Sequence, residues 1–204
     1  YLGLLLAQLE SQGLADDTVV IVFADHGEGL TDYGHFQHRP HLREHVIQVP
    51  LVFSAPDRFG LESREIHSFV RAIDIAPTVL DLAGLTPLQG VPGQSLVPLM
   101  AGTGPGPNSP IFSQSRHQVG IRVPGEQLIL DTRALTPDAA RDPSADSSSY
   151  YDFTGELPAQ IQPVGPEALE LRLRAWMEGL SPTLEAGPGM DEELRQALRE
   201  RGYW

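Results

Sequence analysis

Two residues able to hold a metal ion stand side by side in the segment Val22-Phe-Ala-Asp25-His26-Gly27-Glu28. The run Thr18–Ala24 (TVVIVFA) is continuously apolar and rich in β-branched residues, so it reads as a strand covered on both faces. Asp25 and His26 then fall at the strand's C-terminal end, ahead of a glycine that permits a sharp turn. Open α/β sheets place their sites at that edge. Asp offers a hard oxygen and His a borderline nitrogen, which suits a divalent cation acting as a Lewis acid on a phosphoryl or sulfuryl oxygen. The plain alternative is a capping Asp25 beside a turn-packed His26, and the strand in front of the pair favours the metal.

Imidazole is dense just downstream: His35, His38, His41 and His45 fall within eleven residues, interleaved with Arg39 and Arg43. A histidine can donate a hydrogen bond to a substrate oxygen or protonate a leaving group near neutral pH. Some of this cluster can line an anion site. His41 and His45, one helical turn apart, read better as a solvated helix face. Glu28 is either an acceptor for a ring N–H of His26 or an exposed loop residue. Asp74 reads as a helix cap rather than a ligand, and Arg116-His117 as a surface pair. The polar stretch Asp138 to Ser149 lacks the ligand spacing of a calcium loop. Ser95 and Ser109 have no neighbouring base that would make either a nucleophile.

Several elements must position these groups. Leu2, Leu5, Leu6 and Leu9 recur at helical spacing, with Gly13 as a stop. Residues 41–47 predict a short helix, Val49–Ser54 a second buried strand, and Asp74–Gly84 a helix. This alternation predicts a parallel α/β layer. After Met100 the sequence turns to Gly102–Pro110 (GTGPGPNSP), which marks a boundary. The expected domains are therefore 1–103 and 104–204. In the second, Ile111–Ser115, Gln118–Val123 and Gln127–Leu130 predict short strands and Tyr150–Phe153 an edge strand. Thr136–Ser149 reads as a polar loop, and Pro166–Gly179 and Asp191–Arg201 as surface helices.

Of the 204 residues 41% are hydrophobic, enough to bury a core. The formal charge of −13 repels nucleic-acid phosphates and anionic lipid, so nucleic acid is not expected as a partner. All 14 cationic residues are Arg and Cys is absent, which restricts a metal site to O and N ligands. No apolar run long enough to span a bilayer occurs. Tyr1–Leu14 reads as a helix rather than a signal peptide, so the chain is expected to continue upstream.

Taken together, Asp25-His26-Gly27-Glu28, Tyr33-Gly34 to His38, Val49-Pro50-Leu51-Val52-Phe53 with Pro56, and Val70-Arg-Ala-Ile-Asp74-Ile-Ala-Pro77-Thr78-Val-Leu-Asp81-Leu-Ala-Gly84 resemble the second half of the sulfatase catalytic domain in the alkaline phosphatase superfamily. Tyr150-Tyr151-Asp152-Phe153 is similar to a strand of that family's C-terminal subdomain. The resemblance implies an alkaline-phosphatase-like α/β parallel-sheet sandwich, present in part, with a small antiparallel α+β subdomain. It implies that Asp25 and His26 are metal ligands and that His38 is the catalytic, substrate-contacting histidine. Arg39 and His35 are implied as further substrate contacts. The loop reads Gln37-His38-Arg39 where the family has Gly-His-Gly, and the pocket lysine of many sulfatases is absent, so His38 and Arg39 must neutralise developing charge.

The implied cofactor is a divalent cation, with calcium favoured over manganese or zinc. The nucleophile, a formylglycine made within a Cys/Ser-x-Pro-x-Arg pattern, and the remaining acidic ligands are expected upstream of Tyr1, so this chain alone is not expected to turn over substrate. The implied activity is hydrolysis of sulfate esters of small molecules or glycans. Phosphodiester or phosphonate hydrolysis, or phosphoglycerol transfer, is the alternative within the superfamily. An inactive fragment acting as a binding module is the alternative outside enzymology. The resemblance also implies a cell-envelope, periplasmic or secreted location.

Overall fold

The computed structural model describes residues 1–30, 41–104, 110–135, 148–153 and 165–179. They form two compact units: 1–30 with 43–104 and 110–111, and 41–42 with 112–135, 148–153 and 165–179. The first unit thus runs on to Ile111, past the expected division after residue 103. Residues 105–109, the polar stretch 136–147 and the expected helix at 191–201 lie outside the described residues. Among the described residues no helix is long and apolar enough to cross a membrane.

The first unit contains helix α1 (Leu2–Ser11), strand β1 (Val20–Phe23), helix α2 (Glu44–Ile47), strand β2 (Leu51–Ser54), helix α3 (Ile75–Leu82) and helix α4 (Val97–Met100). Gly84 ends α3 as expected. Its φ of 67° lets Leu85 N–H close onto the Leu80 carbonyl at 2.9 Å. The strands correct one expectation: β1 and β2 pair antiparallel, with Val20 opposite Ser54 and Phe23 opposite Leu51. A continuous apolar run reports the burial of a strand's faces but not its direction, which depends on the path of the connection. Burial on both faces is not met either, since Phe23 is 51% and Val52 55% exposed and α1 buries none of its residues.

A polar node sits at the start of α3. Asp74 is fully buried, and its carboxylate accepts from the Arg71 backbone N–H (2.9 Å), from Arg71 Nε and Nη2 (3.1 and 2.8 Å), and from the Gln94 N–H (2.9 Å). Arg71 Nη2 also donates to the Pro92 carbonyl. One turn on, the buried Thr78 hydroxyl donates to the Asp74 carbonyl and accepts from Leu96 N–H at 2.9 Å. Asp74 and Thr78 therefore fasten the segment 92–96 onto α3. Asp74 stands just before α3, but its side chain does not cap that helix as expected; it closes back onto the Arg71 N–H of the turn 72–74 and forms an ion pair with Arg71 that pattern alone did not show.

The second unit is built on a four-stranded sheet in the order β3 (Ile111–Gln114), β4 (Gln118–Val123), β5 (Glu126–Asp131), β6 (Ser148–Asp152). Strands β4, β5 and β6 are antiparallel neighbours, which places β6 at an edge. Pro124-Gly125 turns β4 into β5, with Gly125 at φ 82°, the value a type II turn demands at its second central position. Alternation puts Val119, Ile121 and Val123 on one face beside Leu128 and Leu130. Helix α5 (Pro166–Gly179) lays Leu169 and Leu173 on that face, one turn apart and both fully buried, with Trp176 stacked on Phe112 at 4.8 Å between centroids. The buried Glu126 carboxylate ties three elements together, because it accepts from Tyr150 Oη on β6 and from the Gly165 N–H ahead of α5, both at 2.7 Å. That hydrogen bond and the carboxylate's charge push the Tyr150 hydroxyl up to about 12.

At the end of β5 the Arg133 guanidinium donates to both Asp131 oxygens and holds that carboxyl below its usual range. A carboxyl lowered by folding stabilises the fold above its unfolded value of about 3.9, and the contribution is lost as pH falls through the lower folded value. Urea melts across that acid window should show this slope, and Arg133→Gln should flatten it. Leu169→Ala should cost roughly 2–5 kcal/mol in the same melts.

Candidate functional site

Asp25 and His26 follow β1 directly, where the strand leaves its partner β2. Asp25 Oδ1 accepts the backbone N–H of His26 at 3.0 Å, which orients the carboxylate. Its other oxygen lies 4.0 Å from His26 Nε2. The Asp25 side chain is 70% exposed and that of His26 34%. The ring is steadied at its far side, where Nδ1 meets the Gly27 carbonyl at 2.8 Å. That carbonyl fills the acceptor role for which Glu28 was one choice.

Gly27 is required for a reason other than the sharp turn expected of it. It does not adopt a positive φ. Instead, a Cβ built on it would overlap the His45 carbonyl oxygen and lie 3.0 Å from its carbon. Gly27 N–H donates to the Val46 carbonyl at 2.7 Å, so the turn after Asp25-His26 rests on the backbone of α2. Sequence reading noticed this glycine but not its neighbour, because contact between residues 27 and 45 leaves no local pattern.

The histidine cluster is resolved only in part. His35, His38 and Arg39 lie outside the described residues. His41 and His45 do not share a helix as expected: α2 begins at Glu44, and His41 precedes it and groups with the second unit. Both are half-buried rather than solvated. In that unit the backbone of Leu42 is gripped from two strands, its N–H donating to Gln118 Oε1 (3.0 Å) and its carbonyl accepting from Gln127 Nε2 (2.7 Å). Neither glutamine had been singled out, since a polar residue within an apolar strand carries no label of its partner.

The donor set fits a divalent cation. One carboxylate oxygen and one imidazole nitrogen, 4.0 Å apart and accessible, can share an ion that takes mixed O and N ligands. Two such side chains would form only part of a coordination sphere. Among the described residues no three His, Asp or Glu side chains converge as a cage.

The family model for sulfatases matches residues 1–85. Residues 1–85 thus resemble the sulfatase family. Arylsulfatase K of Danio rerio is 37% identical over 101 residues, covering 49% of this chain and 18% of the relative. Among solved structures, a candidate sulfatase from Bacteroides thetaiotaomicron superposes with a TM-score of 0.62 at 20% identity, over 85% of this chain and 38% of that one. The phosphonate monoester hydrolase of Silicibacter pomeroyi gives 0.61 at 23% identity, over 98% of this chain and 38% of that one. The chain thus shares the α/β fold of these two structures, and it spans under a fifth of its arylsulfatase relative.

The sulfatase resemblance placed the formylglycine pattern outside this chain, yet it occurs here once, as Ser54-Ala55-Pro56-Asp57-Arg58. Structure argues against a catalytic role for it. Ser54 pairs with Val20, at the opposite end of β1 from Asp25, five residues or roughly 16 Å of strand away. Arg58 is engaged with the Asp16 carbonyl and the Asp17 carboxylate.

Because the Asp25 side chain is exposed and Asp74 buried, their replacements should diverge. Asp25→Ala should shift stability by no more than about 0.5 kcal/mol. Asp74→Ala should cost about 3–5 kcal/mol by stranding Arg71. Thermal melts of the two variants check the contrast.

Proposed function

We propose that this chain supplies part of the metal site and a substrate-contacting loop to a sulfatase-like hydrolase of sulfate esters. The observation that carries this reading is the presentation of Asp25 Oδ2 and His26 Nε2 together, 4.0 Å apart at a strand end, within the segment that the sulfatase family matches. A divalent cation bound there, calcium by preference and otherwise manganese or zinc, would polarise the ester oxygen. Asp25 contributes the charged oxygen, held in orientation by the His26 N–H. His26 contributes nitrogen, held by Gly27. His38 is assigned to the leaving group or the non-bridging oxygens, and Arg39 and His35 to further substrate contacts. Their support is the sequence resemblance and the lack of lysine, which leaves Arg and His to balance substrate charge. The nucleophile is assigned to a segment outside these 204 residues, because Ser54 stands at the wrong end of β1.

Within the two units, 1–103 is proposed as catalytic-domain sequence and 104–204 as the small C-terminal subdomain. Small-molecule or glycan sulfate esters are the proposed substrates, met in the cell envelope or outside the cell. Hydrolysis of phosphonate or phosphate esters is a second reading, favoured by the likeness of 98% of the chain to a phosphonate monoester hydrolase.

The test uses the intact protein that carries this sequence, assayed with an aryl sulfate and an aryl phosphonate ester. Asp25→Ala should abolish hydrolysis and metal retention, whereas His45→Ala and Ser54→Ala should leave both near wild type. His38→Ala should lower turnover about 100-fold or more while retaining metal, as expected for a proton-transfer group. A faster phosphonate reaction would favour the second reading, and full activity in Asp25→Ala would remove the site.

A further inference from the structure

A neutral imidazole carries one N–H and one lone pair, so only one of its nitrogens can bind a cation. In His26, Nδ1 lies 2.8 Å from the Gly27 carbonyl oxygen. That oxygen can only accept, which puts the proton on Nδ1 and the lone pair on Nε2. Nε2 is the nitrogen that stands 4.0 Å from Asp25 Oδ2.

Gly27 is itself held on its amide side. Gly27 N–H donates to the Val46 carbonyl at 2.7 Å. The donors that close the turns around it are Val46 N–H to the Arg43 carbonyl at 2.9 Å and Gln48 N–H to the Glu44 carbonyl at 2.7 Å. The His45 carbonyl oxygen fills the space that any side chain at 27 would take. A larger residue must therefore push this stretch off α2 and carry the acceptor of the His26 ring with it.

We propose that Gly27 is a positioning residue for the cation site: its carbonyl selects the His26 tautomer that presents Nε2 beside Asp25, and its bare Cα lets α2 hold that carbonyl in place. This rests on the metal reading of Asp25 and His26 and adds the nitrogen used and the residue that fixes it. Partners that orient a ligating histidine are commonly worth about 10–100-fold in metal affinity.

The experiment is a long-range proton–nitrogen correlation spectrum of the intact protein that carries this sequence, labelled with ¹⁵N at histidine, with the ring neutral, first without metal and then with zinc ion alone. His26→Gln identifies the signal. The expected result is a ring protonated on Nδ1 without metal and a zinc-induced shift on Nε2. Gly27→Ala should mix the two tautomers and weaken zinc binding about 10–100-fold. If that variant does not fold, the wild-type tautomer and the zinc-bound nitrogen still decide the matter. A wild-type ring protonated on Nε2, or zinc held through Nδ1, overturns the Gly27 assignment while leaving the metal reading intact. A ring protonated on Nδ1 that ignores zinc overturns the metal reading, and the cation role of Gly27 falls with it.

Discussion

The His45 carbonyl oxygen occupies the space that a side chain at position 27 would need, and the local order of the candidate site follows from that approach. Only a bare Cα lets the turn after β1 sit on α2 closely enough for Gly27 N–H to reach the Val46 carbonyl. With Gly27 so held, its carbonyl meets His26, and the His26 N–H meets Asp25. Each contact is a single hydrogen bond of modest net worth, about 1 kcal/mol. Their joint effect is geometric, since they fix two accessible side chains without burying the Asp25 charge.

Elsewhere the chain spends its buried polar groups on fastening rather than on chemistry. Asp74 is fully buried, and its carboxylate accepts from Arg71 and the Gln94 N–H, joining the start of α3 to the segment after it. Glu126 does the same between β5, β6 and the approach to α5. A buried carboxylate is tolerable only when its lone pairs are met, and both are met by donors from other parts of the chain. The exposed Asp25 is the contrasting case. Its charge stays in water, ready for a cation, at little cost to the fold.

Sequence alone exposed what depends on local pattern. The strand expected over Gln118–Val123 has those bounds as β4, and the alternation of Val119, Ile121 and Val123 places them on one face. The helix expected over Pro166–Gly179 is α5, although its buried Leu169 and Leu173 were not foreseen in what read as a surface helix. Gly84 marked the end of α3. What remained hidden were relations between distant residues. The antiparallel pairing of β1 and β2 was missed because apolar runs carry no direction. Arg71 as the partner of Asp74, Gln118 and Gln127 as the grip on Leu42, and His45 as the reason for Gly27 were missed because a polar residue does not announce its partner. The Ser54-Ala-Pro-Asp-Arg58 pattern shows the converse, a motif complete in sequence whose serine pairs with Val20, far from the ligands.

The account stands on Asp25 and His26 acting together as ligands for one divalent ion. A calcium titration of the intact protein that carries this sequence, followed by calorimetry and repeated with manganese and zinc and with Asp25→Ala and His26→Ala, tests this most directly. The account predicts one ion per chain for at least one of the three metals, weakened at least tenfold by either substitution, with both variants folded as the wild type. Binding that both variants retain unchanged, or no binding of any of the three ions by the folded chain, would contradict it.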